Sequence, residues 1–161
     1  MKYLLSLIGL AICGMGGAQV VWTEPAFPTA DDIVILYYDV TEGKGALLDL
    51  TEPCSGFVFV HTGIITSQSS SPSNWYNGHN PWPSTSPNNL SEASVGNVLL
   101  PLVTGSTIHT FNFDGLTFAE YYGIEEGEEI EQLAFVFRDA LGTVVGKNAD
   151  ESDIFIAVSN I

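Results

Sequence analysis

Short apolar segments bounded by turn-forming residues recur from Val20 to the C-terminus, and they constrain the fold more than any other feature of the chain. The segments have the lengths and the Val, Ile, Phe and Tyr content of β-strands. They span residues 20–27, 33–40, 57–66, 98–103, 108–113, 130–138, 143–147 and 154–158. Pro25 and Pro28 place the first segment at a sheet edge or at a switch between sheets, because proline cannot donate to a central ladder.

Helical patterning is almost absent, and a single helical turn is predicted over residues 116–122, ending at Gly123. The regular spacing of about seven to eight antiparallel strands predicts an all-β, immunoglobulin-like β-sandwich. Residues 67–94 differ from the rest, since they are rich in Ser, Pro and Asn and show no periodicity. They are predicted to form a long loop, and loops of this length are often functional.

The first 18 residues have the pattern of a secretory signal peptide. Lys2 precedes an apolar run over residues 3–12, and small residues lead up to Ala18. Removing 18 of 161 residues leaves 143, enough for one domain over residues 19–161. Cys13 could mark a lipid-anchored form, but bulky Ile12 argues against it. Cys54 would then be a lone thiol, for which burial as a small apolar group is expected. The chain is therefore predicted to be secreted or displayed at the cell surface.

The charge of the chain argues against two classes of partner. Without Lys2, three basic residues face 19 acidic ones, a formal charge of −16. Such a surface repels nucleic acid and anionic lipid. No apolar run reaches the length of a membrane span, so none is expected in the mature chain.

Aromatic residues in the predicted loop suggest a binding site. Flat sugar faces stack on aromatic rings, and polar side chains bond sugar hydroxyls. The candidate carbohydrate-binding residues are Trp75, Tyr76, Trp82, Asn77 and His79, with Asn74 and Asn80 nearby. The alternative is that Trp75 and Trp82 fold back over the sheet and hold the loop against it.

The acidic residues offer weaker hypotheses. Asn148, Asp150 and Asp153 are weak calcium candidates without the spacing of a calcium loop. The glutamate-rich run over residues 125–131 is predicted to be an exposed turn before a strand. A glycosidase would need two carboxyls facing each other across a cleft, and the sequence singles out no such pair. No cofactor or catalytic residue is predicted.

The basic residues and histidines are interpreted structurally. The histidines lack zinc-site spacing, and His61 is predicted to lie at a strand end in a structural hydrogen bond. Arg138 and Lys147 are expected to form surface ion pairs with acidic neighbours.

The strings TEPAFPTADDIVILYYDVTEGKG, VFVHTGIIT, the segment from Trp75 to Trp82, YYGIEEGEEIEQLAFVFRDALGTVVGK and DIFI occur in one order. Together they resemble an immunoglobulin-like, carbohydrate-binding-type module of secreted bacterial alpha-amylase-family and starch-utilisation proteins. The resemblance covers nearly all of residues 19–161, and HTGIIT with LAFVFRDALGTVVGK is its most specific part. A catalytic domain, which typically follows such a module, is absent from this sequence.

The resemblance implies a non-catalytic accessory module that binds polysaccharide, in particular α-glucan or starch, by stacking on the loop aromatics. Its partner would be a polysaccharide or a neighbouring catalytic domain. The alternative is a structural spacer or protein-interaction module without a sugar site, and a third reading is a small secreted glycoside hydrolase. The oligomeric state is left open.

Overall fold

The computed structural model describes residues 19–51, 58–79, 98–125, 127–139 and 142–159. The predicted signal peptide, both cysteines and Trp82 lie outside these ranges. The strands are β1 Val21–Glu24, β2 Ile35–Asp39, β3 Val58–Thr66, β4 Tyr76–His79, β5 Val98–Pro101, β6 Ile108–Phe111, β7 Ile130–Arg138, β8 Val145–Gly146 and β9 Ile154–Ala157. The α-helices are α1 Leu48–Thr51 and α2 Phe118–Tyr122, and a 3₁₀ turn spans Phe113–Gly115.

The strands form one antiparallel sheet in the order β1-β2-β6-β5-β3-β7-β8, with β4 paired to β3 and β9 paired to β7. Strand β5 joins two parts of this sheet. Its residues Val98 and Leu99 pair with β3, whereas Leu100 and Pro101 pair with β6. We refer to β1, β2, β6 and β5 as the first half of the sheet, and to β3, β4, β7, β8 and β9 as the second half.

The sheet curls so that its two halves share a hydrophobic core. Tyr38 of β2 and Phe137 of β7 are separated by three strands in the sheet order, yet their ring centroids lie 3.8 Å apart with nearly parallel planes. Gly146 of β8 makes this approach possible, because a Cβ there would overlap the Tyr38 hydroxyl and lie 2.8 Å from Leu47 Cδ1. Burial of such side chains contributes about 1.5–3 kcal/mol each to the free energy of unfolding.

Aromatic side chains around helix α2 extend this core. Phe118, Tyr121 and Tyr122 of the helix are buried, and their rings pack with those of Phe111 and Phe113. The position of the helix is set by its ends, where Thr117 forms a reciprocal capping box with Glu120 and Gly123 takes a left-handed φ of 65°. The predicted helical turn ending at Gly123 is therefore confirmed.

The all-β prediction is confirmed, and each of the predicted strand segments contains one strand. Strand β1 lies at the end of the sheet order, as the prolines indicated. The immunoglobulin-like sandwich stays a prediction, since the strands form a single curled sheet. The loop predicted over residues 67–94 is wrong at Tyr76–His79, where β4 pairs with β3. Its polar sequence forms a strand because β3 supplies a hydrogen-bonding edge, which local patterning does not reveal.

Two side-chain predictions are wrong. Arg138 was expected at the surface but is fully buried; its guanidinium lies 5.5 Å from the Phe59 ring centroid, and its Nη1 donates to the Asp139 carbonyl at 2.9 Å. Burial lowers the pKa of Arg138. His61 lies within the long strand β3 and not at its end. The charged stretch before β7 is mostly exposed where it is described, as predicted.

Candidate functional site

Strands β3 and β7 form the floor of a groove around Trp75, the residue directly before β4. In β3, Gly63 lies beneath the indole, since a Cβ at this position would be 3.1 Å from Trp75 Cβ and 3.4 Å from Trp75 Cε3. A side chain at Gly63 would therefore push the indole away from the sheet. The β3–β4 register shifts between Thr62 and Ile64, an irregularity that lies directly beside this contact.

The Trp75 ring is fixed on several sides and remains half-buried. It stacks on the His61 imidazole at a centroid distance of 5.4 Å and meets the Phe155 ring edge-on at 6.5 Å. Its Nε1 donates to the Pro72 carbonyl at 2.9 Å. These contacts satisfy the polar edge of the ring and fix its orientation, which lowers the entropy that a ligand must remove on binding.

Charged and amide groups complete the groove. Lys147 Nζ lies 2.7 Å from Asp153 Oδ1, and the two side chains are 27% and 28% exposed. The groove has a volume of ≈ 380 Å³ and is lined by His61, Ser73, Asn74, Trp75, Val136, Lys147 and Asp153. We call it the Trp75 groove. It combines aromatic side chains with an amide, an ammonium and a carboxylate, so it offers apolar surface together with hydrogen-bond donors and acceptors.

The described structure separates Trp75 from Tyr76, another of the predicted sugar-binding residues. Tyr76 packs against the hydrophobic core, and its hydroxyl donates to the Gln68 carbonyl at 3.1 Å. Asn77 and His79 belong to the backbone of β4, and their side chains lie outside the described residues, as do Trp82 and Asn80. The stacking role of these residues stays a prediction.

Sequence reasoning missed the polar wall of the groove. Lys147 was expected to find an acidic partner, and its ion pair with Asp153 confirms that expectation. Neither residue was connected with Trp75, because they follow β8 and precede β9, far from β4 in the chain. The His61 contact was partly predictable from sequence. Strand alternation in β3 places the His61 ring on the face opposite to Val60 and Thr62.

The calcium candidates are held by local contacts. Asp150 Oδ1 accepts hydrogen bonds from the Ser152 backbone N–H at 3.0 Å and from its hydroxyl at 2.6 Å, which lowers the pKa of Asp150. Asn148 Nδ2 donates to the Asp153 carbonyl at 3.0 Å. Within the described ranges, no three His, Cys, Asp or Glu side chains are grouped to hold a metal ion. Calcium binding stays a weak prediction.

A search for helices of membrane-spanning length and hydropathy finds none in the described part of the chain. The chain matches no protein-family model, and no curated protein matches it.

Proposed function

We propose that the protein is a secreted, non-catalytic module that binds polysaccharide, with one sugar ring seated against Trp75. The observation that carries the proposal is a half-buried indole, fixed in orientation, in a groove that also presents Asn74, Lys147 and Asp153. The choice of α-glucan as ligand comes from the resemblance to modules of starch-degrading proteins. The signal-peptide pattern over residues 1–18 supports secretion.

The chemistry of the groove supports binding rather than hydrolysis. Glycosidases of the common types place two carboxyls on either side of the scissile bond. Of the described side chains that line the Trp75 groove, Asp153 is the one carboxylate, and it is paired with Lys147. In this arrangement Asp153 accepts hydrogen bonds from sugar hydroxyls while the ammonium of Lys147 donates to others.

Calorimetric titration of residues 19–161 with maltoheptaose, and with cellohexaose as the β-linked control, tests the proposal. Trp75→Leu keeps apolar contact with the sheet but removes the flat ring face, so we expect binding to weaken about tenfold, which corresponds to about 1.4 kcal/mol. Trp22→Leu is the matched control, because Trp22 is also half-buried but lies in β1, outside the groove. We expect it to bind as the unmodified chain does.

A second variant distinguishes loss of the binding site from misfolding of the chain. Lys147→Met with Asp153→Asn keeps the side-chain lengths and removes the charges that face the ligand. It should weaken binding while leaving the circular dichroism spectrum unchanged. Absence of binding to both sugars at millimolar concentration would refute the proposed function. Binding that survives both groove variants but is lost in Trp82→Ala would place the site in the segment around Trp82.

A further inference from the structure

A second groove lies on the outer face of the first half of the sheet and shares no residue with the Trp75 groove. Cross-strand pairing places Trp22, Tyr37, Thr110 and Leu100 in one row across β1, β2, β6 and β5. The rings of Trp22 and Tyr37 stack at a centroid distance of 5.3 Å with planes 4° apart. Leu100 is 60% exposed, so the row presents apolar surface to solvent.

The groove follows β6 and is bounded by apolar residues of the strands on either side. Its volume is ≈ 440 Å³, and its lining residues are Ile35, Val98, Leu100, Thr110, Phe111, Asn112 and Asp114. Ile35 of β2 is 39% exposed and Leu100 of β5 is 60% exposed, so apolar surface borders β6 on both sides. We call this the Asp114 groove.

A tight turn brings the carboxylate to the groove. Phe113 and Asp114 both have positive φ, 51° and 58°, a region that non-glycine residues enter at a cost. The cost is offset because the Phe113 ring is fully buried and packs edge-on against Phe111, Phe118 and Tyr121. The buried ring anchors the turn, and Asp114 stands exposed at the end of the apolar groove.

The charges around this face select its partner. The basic side chains in the described ranges lie elsewhere: Lys44 pairs with Glu151, Lys147 pairs with Asp153, and Arg138 is buried. The face itself carries Asp114 and, beside Tyr37, the exposed Glu24, whose Oε2 accepts the Tyr37 hydroxyl at 3.0 Å. A second copy of this chain, with its formal charge of −15, would bring acid against acid.

We propose that the Asp114 groove is a docking site for a polypeptide segment that carries lysine or arginine between apolar residues. The methylene stem of the basic side chain lies between Ile35 and Leu100, and its charged end meets Asp114. The apolar neighbours of that side chain pack along the row of Trp22 and Tyr37. An aliphatic stem with a terminal cation matches both the apolar walls and the carboxylate.

The probe is a short synthetic peptide with the pattern Val-Ser-Lys-Ser-Val, which puts lysine and valine on one face of an extended chain, and a twin in which glutamate replaces lysine. Amide chemical shifts of residues 19–161 are followed by NMR during titration with each peptide. We expect the lysine peptide to shift the amides of β2, β5 and β6 and the glutamate twin to leave them unchanged. Shifts confined to the Trp75 groove, or equal affinity for both peptides, would overturn the proposal.

Two matched variants distinguish specific binding in the groove from general attraction of a cation to an acidic protein. Asp114→Asn removes one charge, and asparagine tolerates the left-handed backbone at this position. Glu131→Gln removes one charge from an exposed position on β7. We expect Asp114→Asn to lower the affinity for the lysine peptide about tenfold. Glu131→Gln should lower this affinity less than about twofold. Equal weakening by both variants would show non-specific attraction and would refute the docking site.

Leu100→Thr tests the apolar wall at an exposed strand position where threonine is well tolerated. This substitution should also lower the affinity for the lysine peptide while leaving the fold intact. Sedimentation of the unmodified chain without peptide supplies a further check, because self-association that Leu100→Thr abolishes would make a second copy the occupant and overturn the proposal. Failure of this site leaves maltoheptaose binding at Trp75 unaffected, so the two proposals are tested independently.

Discussion

At the residue scale, a buried hydrogen bond links the sheet to helix α2. Thr62 Oγ1 of β3 and Tyr122 Oη lie 2.6 Å apart, and both side chains are buried. Burial raises the pKa of Tyr122, so its hydroxyl stays protonated over the accessible pH range. The bond therefore contributes in the same way in acid and at neutral pH.

Tyr122→Phe removes the hydroxyl and leaves Thr62 without this partner, so we expect the free energy of unfolding to fall by about 1–3 kcal/mol. Thr62→Val is the matched change on the other side of the bond. The double variant should lose less than the sum of the two single variants, by about 0.5–3 kcal/mol. Urea denaturation of the four proteins measures this coupling, and simple additivity would contradict the role given to the bond.

Arg138 and Trp75 show where residue-level prediction stops. An arginine in a strongly acidic chain is expected at the surface, because burying its charge is costly. The ring of Phe59 and the Asp139 carbonyl accommodate it in the core, and neither contact is visible in the spacing of the chain. In the same way, the aromatic character of Trp75 pointed to a site, but its neighbours His61, Lys147 and Asp153 depend on how three distant segments come together.

At the element scale, the capping box of α2 is a local device that the sequence carries in full. Thr117 Oγ1 accepts the Glu120 backbone N–H at 3.2 Å, and Glu120 Oε2 accepts the Thr117 backbone N–H at 3.0 Å. The hydrogen bonds that Glu120 Oε2 accepts from the Thr117 backbone N–H and from the Thr117 hydroxyl hold the pKa of Glu120 below its ordinary value. A carboxyl with a lowered pKa in the folded state stabilises the fold above its unfolded-state pKa, and this effect is lost as pH falls through the folded-state pKa.

Thr117→Ala should therefore lower the free energy of unfolding by about 1 kcal/mol at neutral pH. The difference from the unmodified protein should narrow in acid, as the pH falls through the lowered folded-state pKa of Glu120. Thr117→Ser, which keeps the hydroxyl, is the control and should stay close to the original stability. A difference for Thr117→Ala that is unchanged in acid would show that Glu120 takes no part in the cap.

Strands were predictable from sequence in proportion to their apolar patterning. Strand β7 has the predicted bounds, because residues 133–137 are apolar on both faces and the strand lies between turn residues. Strand β4 was missed, since a polar stretch becomes a strand only where β3 offers a free edge. The curl of the sheet was equally invisible, because the contact between Tyr38 and Phe137 depends on tertiary packing.

At the scale of the whole molecule, the charge imbalance opposes the compact state. With 19 acidic and four basic residues, the folded chain concentrates like charges that the unfolded chain spreads apart. The ion pairs Lys44–Glu151 and Lys147–Asp153 act in the other direction, but partly exposed pairs contribute only about 0–1 kcal/mol each. Repulsion between the acidic side chains should therefore determine how salt changes the free energy of unfolding.

Raising NaCl from about 10 mM to about 200 mM shortens the screening length from about 30 Å to below about 10 Å. We expect the urea midpoint to rise, with a gain of about 1 kcal/mol in the free energy of unfolding. A variant with Glu129→Gln and Glu131→Gln, both exposed, should respond less to salt. A midpoint that falls on adding salt would show that the ion pairs outweigh the repulsion.

The division of β5 between its two neighbours has a consequence for how the sheet opens. Leu99 pairs with β3 and Leu100 with β6, so two adjacent residues of one strand are bonded to strands from different halves of the sheet. We expect the pairing with β3 and the pairing with β6 to open separately, each without first breaking the other. Hydrogen exchange at Leu99 and Leu100 should then report two separate opening motions. The four-residue strand β5 would be the hinge between them.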